Sequence, residues 1–438
     1  RETRCGGHRE ICSCARYAIT TNTSQNSTHV SASLRDAWSD AEGKIHLDEH
    51  SQDCENFEWK KRANTTKFTF TRKFDTCDEH DYVLERGTTH LVWLKGAGPL
   101  ASLAGLSLQD AKSRGMSRTE LLRWHKPKPA FPSDAWRYEI KADRVQVPSQ
   151  ETTYWCRVQK LPATLRRKHH VLQFGPAIQS GNEHLVHHME VFHCAGPAEA
   201  EVPDWDGPCD SPARPAKTQI CKKVLAAWAM GADDFVYPQE AGLPIGGPGF
   251  NRYIMLEVHY NNPELQAGAV DSSGIGFWFT RRLRRYDAGV IELGLEYTDK
   301  MAVPPGQVEN QHEDIATRPE ESTYFLLFSF LGVGTFFFYF FFFFFAFTFS
   351  NWWRERSTAS GRVATRGVGL GQAGIKIFGS QLHTHLTGRR VLTRHVRDGE
   401  ELPLLNYDRH YSTHFQEIRL LPRPVTVLPV KHRYNHMS

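Results

Sequence analysis

Short runs of strand-forming residues, alternating in polarity with period two, recur along this chain. Among them are KIHLD (44–48), KFTFTRKF (67–74), THLVWL (89–94), VHHMEVF (186–192), YIMLEVHY (253–260) and QLHTHL (381–386). Such runs bury one face of a pleated strand and leave the other for solvent or for chemistry. They are punctuated by 33 glycines and 23 prolines, and no long amphipathic helical pattern interrupts them. The pattern predicts an all-β protein. At 438 residues the chain is long enough for roughly two to four domains, each with its own core.

Five of these runs carry histidines, and three of them bring the candidate ligands: His187 and His188, His259, and His383 and His385. The i, i+2 spacing of His383 and His385 puts both imidazoles on one face of a strand, which is a chelating geometry. Adjacent His187 and His188 point to opposite faces of an ideal strand, so joint use on one metal requires a bulge, a twist or a strand end. The chain holds 22 histidines, enough for some close pairs to arise by chance. His169 and His170 follow Arg166, Arg167 and Lys168 with no other candidate ligand nearby, and read as hydrogen-bonded core residues. Glu190 and Glu257 adjoin the histidines; strand alternation allows them either to orient ligands or to face solvent.

A net charge of +4 is too small to argue for nucleic acid, and no nucleic-acid-binding motif is present. GLPIGGPG (242–249) lacks a following helix and reads as a loop, not as a phosphate cradle. Of nine cysteines, Cys156, Cys194, Cys209 and Cys221 surround the first histidine cluster at spacings too wide for a CxxC zinc site. Two disulfides there would imply an oxidising compartment. Sequons at Asn22, Asn26 and Asn64 fit secretion, with Asn64 the candidate glycosylation site. The chain begins RETRCGG, without Met or an apolar leader, so its amino end reads as incomplete.

Residues 1–33 are Cys-, Ser- and Thr-rich and are assigned no fold. After Leu94 a polar, helical connector is expected, ending in the proline-rich KPKPAFPSD. Tyr324 to Ser350 is almost continuously apolar and holds 14 of the 27 phenylalanines. As a transmembrane helix it would separate His383 and His385 from the cysteine-rich half. Phenylalanine codons are pyrimidine-rich, so residues 318–372 are read instead as an aberrant insert, a polypyrimidine tract translated from a retained intron or a faulty gene model.

Longer motifs carry a resemblance. GNEHLVHHMEVFHC, VLAAWAMGADDFVYPQEAGLPIGGPG, RYIMLEVHYNNP, LRRYDAGVIELGL and IKIFGSQLHTHLTGRRV closely resemble the copper type II, ascorbate-dependent monooxygenases, over roughly 34–306 and 374–422. DAWSD…KIHLD resembles the carboxyl half of a DOMON domain. The resemblance implies a partial DOMON β-sandwich (34–110), a linker (111–146) and a first copper domain (147–284). A second, incomplete copper domain (285–317 and 373–438) follows, split by the insert. Each copper domain would be a jelly-roll-like β-sandwich.

The resemblance also implies roles. His187, His188 and His259 would hold an electron-storing copper, and His383 and His385 part of a second, dioxygen-binding one. Tyr154 and His383 match positions treated as active-site residues. Cys156 would pair with Cys209, and Cys194 with Cys221. Ascorbate would be the electron donor and O2 the oxidant. The substrate would be dopamine or a related phenethylamine, hydroxylated at its benzylic carbon. The location would be the secretory vesicle, lumen or membrane, and the extracellular space. Homo-oligomers are expected of the full-length family, and membrane association stays open.

The family's methionine ligand at the second copper stands in a Glu-Met-Cys context that this sequence does not contain; Met437 has no matching surroundings. A two-histidine second site should bind copper more weakly than the first. Cys77 matches a cysteine whose partner is absent here, which would leave a free thiol, and Cys5, Cys12, Cys14 and Cys54 receive no assignment. The competing expectation is a copper-binding secreted protein with impaired catalysis.

Overall fold

The computed structural model describes residues 16–23, 30–62, 65–95, 107–110, 112–123, 130–293, 309–316, 323–332, 340–348, 374–384, 388–397 and 400–427. Apart from three short 3-10 turns, every regular element among them is a β-strand. Two compact units divide the chain, 1–123 and 124–438.

In the first unit, Arg16–Thr23, Val30–Ser39 and Ile45–Leu47 form an antiparallel sheet. The first of these strands lies within residues 1–33, to which the sequence assigns no element, and its β-branched ITT stretch pairs residue for residue with the next strand. Two hairpins follow, Glu55–Arg62 with Thr65–Thr71 and Thr89–Lys95 with Ser113–Thr119. The last strand, with a 3-10 turn at Leu108–Asp110, stands where a helical connector was expected. Its sequence, SRGMSRT, has little strand propensity of its own, and cross-strand pairing with Thr89–Lys95 overrides it. Trp38 stacks with both His46 and His80, with ring centroids 4.4 and 4.3 Å away. Arg72 bonds the buried Asp81 at 3.1 Å, and burial with the nearby Asp81 pushes the Asp36 carboxyl up to about 6.

The second unit is built on a five-stranded antiparallel sheet ordered Asp206–Pro208, Thr152–Lys160, Tyr253–Asn261, Val186–Cys194 and Cys221–Ala229. A larger sheet faces it, running from Trp136–Lys141 through Gly274–Thr280, His169–Ala177 and Ala241–Ile245 to Tyr286–Leu293. Between the two lies the main core. Alternate residues of Tyr253–Asn261 (Ile254, Leu256, Val258 and Tyr260) are at most 1% exposed and pack with Met189, Val191, Phe174 and Phe277. Period two therefore sends Met255, Glu257 and His259 to the opposite face.

That outer face carries a second, smaller core at one end: Cys156, Val158, Cys194, Val202, Cys221, Tyr253 and Met255. Disulfides Cys156–Cys209 and Cys194–Cys221 pin it. At the other end of the same strands sit the histidines.

The larger sheet continues from Tyr286–Leu293 into Phe340–Thr348, Ile375–Thr384 and Ile418–Val427. The phenylalanine-rich segment thus contributes strands, Thr323–Gly332 and Phe340–Thr348, and among the described residues no helix is long and apolar enough to cross a membrane. A four-stranded sheet, Glu309–Ala316, Thr323–Gly332, Gly388–Arg397 and Glu400–Asp408, completes the unit.

His169 and His170 are buried core residues. His169 Nδ1 bonds the Arg167 carbonyl at 2.7 Å. His170 Nδ1 accepts from the Arg284 amide at 2.9 Å, while Nε2 bonds Asp287 at 2.7 Å. The GLPIGGPG segment, expected as a loop, is half strand: its first four residues belong to Ala241–Ile245, and the chain turns at Gly246 and Gly247, with φ of 73° and 107°.

Candidate metal centre

Three neighbouring strands align one row of side chains. In the ladder, Tyr154 lies opposite His259, and His259 lies opposite His188. Because directly paired residues share a face, Tyr154, His259 and His188 all project outward. The register shifts between Val186 and His188, at the start of their strand. This irregularity answers the difficulty of two adjacent histidines, since a bulge turns His187 toward the side that His188 already occupies. The His187 carbonyl is held by the Met230 amide at 2.8 Å.

The three imidazoles converge. His188 Nδ1 is 3.1 Å from both His187 Nδ1 and His259 Nδ1, and ligand atoms of all three lie within 4.8 Å of one another. Ring centroids are 5.4, 5.0 and 4.5 Å apart. Metal–nitrogen bonds of about 2.0 Å in a tetrahedral site set ligand nitrogens roughly 3.3 Å apart. The observed spacing fits one first-row ion, and an all-imidazole set suits copper among others. Tyr154 stacks flat on His259, with centroids 4.4 Å apart and planes 6° apart, which holds the ring against rotation.

Glu257 shares this face but lies toward the disulfide, its Oε2 3.7 Å from Cys156 Sγ. Enclosure pushes its carboxyl up to about 7, although the Arg214 cation acts against this. Arg214 in turn donates to the Cys209 carbonyl at 2.9 Å and to Thr218 Oγ1 at 2.9 Å.

His383, near the end of Ile375–Thr384, brings its ring to 6.2 Å from His188. The two histidine-bearing regions therefore meet at one place. His385 and Asn64 lie outside the described residues. Cys77 is exposed, at φ 63°. One further ring joins the group without a sequence signal to announce it: His414, in the turn before Ile418–Val427, stands 5.8 Å from His187. Its segment, YSTHF, has no strand periodicity and no spacing to another histidine that marks a ligand.

Comparison with known proteins assigns the family. The model described as copper type II ascorbate-dependent monooxygenase, N-terminal domain, matches residues 138–267, and its C-terminal counterpart matches 357–432. A DOMON domain model matches 23–96. Dopamine beta-hydroxylase of Homo sapiens is 43% identical over 398 residues, covering 91% of this chain and 57% of that protein. Tyramine beta-hydroxylase of Caenorhabditis briggsae is 34% identical over 425 residues, 92% of this chain and 60% of that protein. DBH-like monooxygenase protein 1 of Mus musculus is 32% identical over 397 residues, 90% and 57% respectively. The chain thus spans less than two thirds of the length of these relatives. With both copper-domain models and the DOMON model matched along an all-β fold, the chain belongs to the copper type II ascorbate-dependent monooxygenase family, whose cofactors are copper and ascorbate.

Proposed function

We propose that the chain is the copper-binding part of a monooxygenase that hydroxylates the benzylic carbon of a phenethylamine, with dopamine as the favoured substrate. The observation that carries this reading is the convergence of His187, His188 and His259, with His383 from the second matched region 6.2 Å from His188. Bound copper would supply one-electron redox chemistry with dioxygen, drawing electrons from ascorbate.

The chain's own residues do the positioning. His187, His188 and His259 offer one nitrogen each from a rigid sheet, an arrangement that can hold either copper oxidation state without rebuilding. Tyr154 fixes the plane of His259 by stacking. His383, with His385, is the proposed anchor of the second copper. Dopamine is favoured by the 43% identical human relative, while a tyramine beta-hydroxylase at 34% keeps the neighbouring phenethylamine in view. The two disulfides favour a secretory or extracellular location, where such bonds persist.

Ascorbate- and O2-dependent turnover of dopamine, tyramine and a glycine-extended peptide, measured side by side on copper-loaded protein, tests the proposal. Hydroxylated dopamine as the dominant product is expected. Preference for tyramine would move the substrate, and product only from the peptide would overturn the phenethylamine reading. Copper binding without any turnover would leave a copper-binding protein in place of an enzyme.

A further inference from the structure

The His414 ring belongs to a segment built to hold it in place. Its turn is fastened to the strand that carries His383. The Thr384 amide donates to Tyr411 Oη at 2.7 Å, Tyr411 donates back to the Thr384 carbonyl at 3.3 Å, and Gln381 Nε2 donates to the Gln416 carbonyl at 2.8 Å. The His414 amide donates to Ser412 Oγ at 3.2 Å. On its other side the turn is wedged against the first matched domain. Phe415, 2% exposed, sits so close to Gly231 that a Cβ there would come within 2.8 Å of Phe415 Cδ2. Between these anchors His414 is exposed, its ring standing edge-on to His187 at 83° with centroids 5.8 Å apart.

Two imidazoles on one ion, each with its ring centre about 3 Å from the metal, put their centroids roughly 5 to 5.5 Å apart at tetrahedral to trigonal angles. The three converging histidines already span 4.5 to 5.4 Å. His414 stands a few tenths of an ångström beyond that range from His187 and outside the set whose ligand atoms already lie within 4.8 Å of one another, so a side-chain rotation about χ1 or χ2 has to bring its nitrogen in. We propose that His414 is a fourth imidazole of the His187, His188 and His259 centre, delivered by the second matched region. The inference rests on the proposed copper role of those three residues. It adds that coordination at the first centre draws on both matched regions.

The test uses the full chain loaded with one equivalent of Cu(II), in the wild type and in His414→Ala, His410→Ala and His188→Ala. Chelator competition measures affinity, and pulsed electron paramagnetic resonance counts the coordinated imidazoles. His414 is exposed, so its truncation leaves the core intact. His410 lies on the same turn and serves as the control. The expected result is affinity about tenfold or more weaker in His414→Ala, one imidazole fewer in its spectrum, and His410→Ala matching the wild type. A His414→Ala protein with wild-type affinity and spectrum would overturn the inference while leaving the three-histidine centre standing, as would an equal loss in His410→Ala. If His188→Ala also kept full affinity, the three-histidine reading itself would fall, and the inference with it.

Discussion

Replacing Cys156 and Cys209 together with alanine isolates what the outer-face staple contributes. The bond closes a loop with a sequence separation of 53, against 27 for Cys194–Cys221. In the chain-entropy model the cross-link removes about 2.1 + 1.5R ln n cal/mol/K from the unfolded state, which gives roughly 4.2 kcal/mol at 25 °C for the longer loop and about 3.6 for the shorter. With a urea m-value near 3 kcal/mol/M, the longer loop corresponds to a midpoint shift of about 1.4 M. Alanine is the right replacement, because Cys156 is fully buried in an apolar cluster and a serine hydroxyl there would need a partner. The histidine strands are held from the opposite face by Ile254, Leu256, Val258 and Met189, so the folded variant should still bind copper. Urea unfolding followed by intrinsic fluorescence measures the shift. A midpoint change below about 0.3 M, equivalent to roughly 1 kcal/mol, would refute the loop-entropy reasoning. Copper lost while the fold is retained would show that the staple sets the geometry of the site.

His193 is buried with Nε2 2.8 Å from the Asn251 carbonyl, and burial pushes its pKa down to about 4. In the unfolded chain it takes up a proton near 6.5. The unfolded state therefore binds more protons between these values, and stability falls as pH drops from 6.5 towards 4, by up to about 1.4 kcal/mol per pH unit. His193→Gln keeps a donor for Asn251 and should flatten this limb; stability curves parallel to wild type across that range would contradict the assignment. Gly246→Ala combines left-handed backbone (φ 73°) with a Cβ driven into the Leu165 carbonyl oxygen, whereas Gly181→Ala at φ 94° meets no atom within 4 Å. Thermal unfolding should show the first losing more stability than the second, which carries backbone strain of only about 1 kcal/mol; equal losses would mean that the clash relaxes freely.

The β character of the chain is legible in the period-two runs because alternation is a local property. The buried Ile254, Leu256, Val258 and Tyr260 follow from the pattern of one strand, and so does the outward face of His259. Which strands become neighbours is not local. The row Tyr154, His259, His188 exists only once three segments separated by dozens of residues are paired in one register. The bulge that turns His187 beside His188 leaves no mark in VHHMEVF, and His414 gains meaning only from the turn that carries it to His187. Weak propensity misled in the other direction at Ser113–Thr119, where pairing makes a strand from a segment that alone suggests none. His169 and His170 are readable as core residues because no other candidate ligand stands nearby, and both are fully buried.

The proposed function stands on His187, His188 and His259 forming one copper centre. Cu(II) titration of the purified chain, followed by electron paramagnetic resonance and repeated on His259→Ala, tests it most directly. One tight equivalent with imidazole nitrogen coupling is expected in the wild type, weakened by about tenfold or more in His259→Ala. Tight copper binding with the same spectrum in both proteins would contradict it.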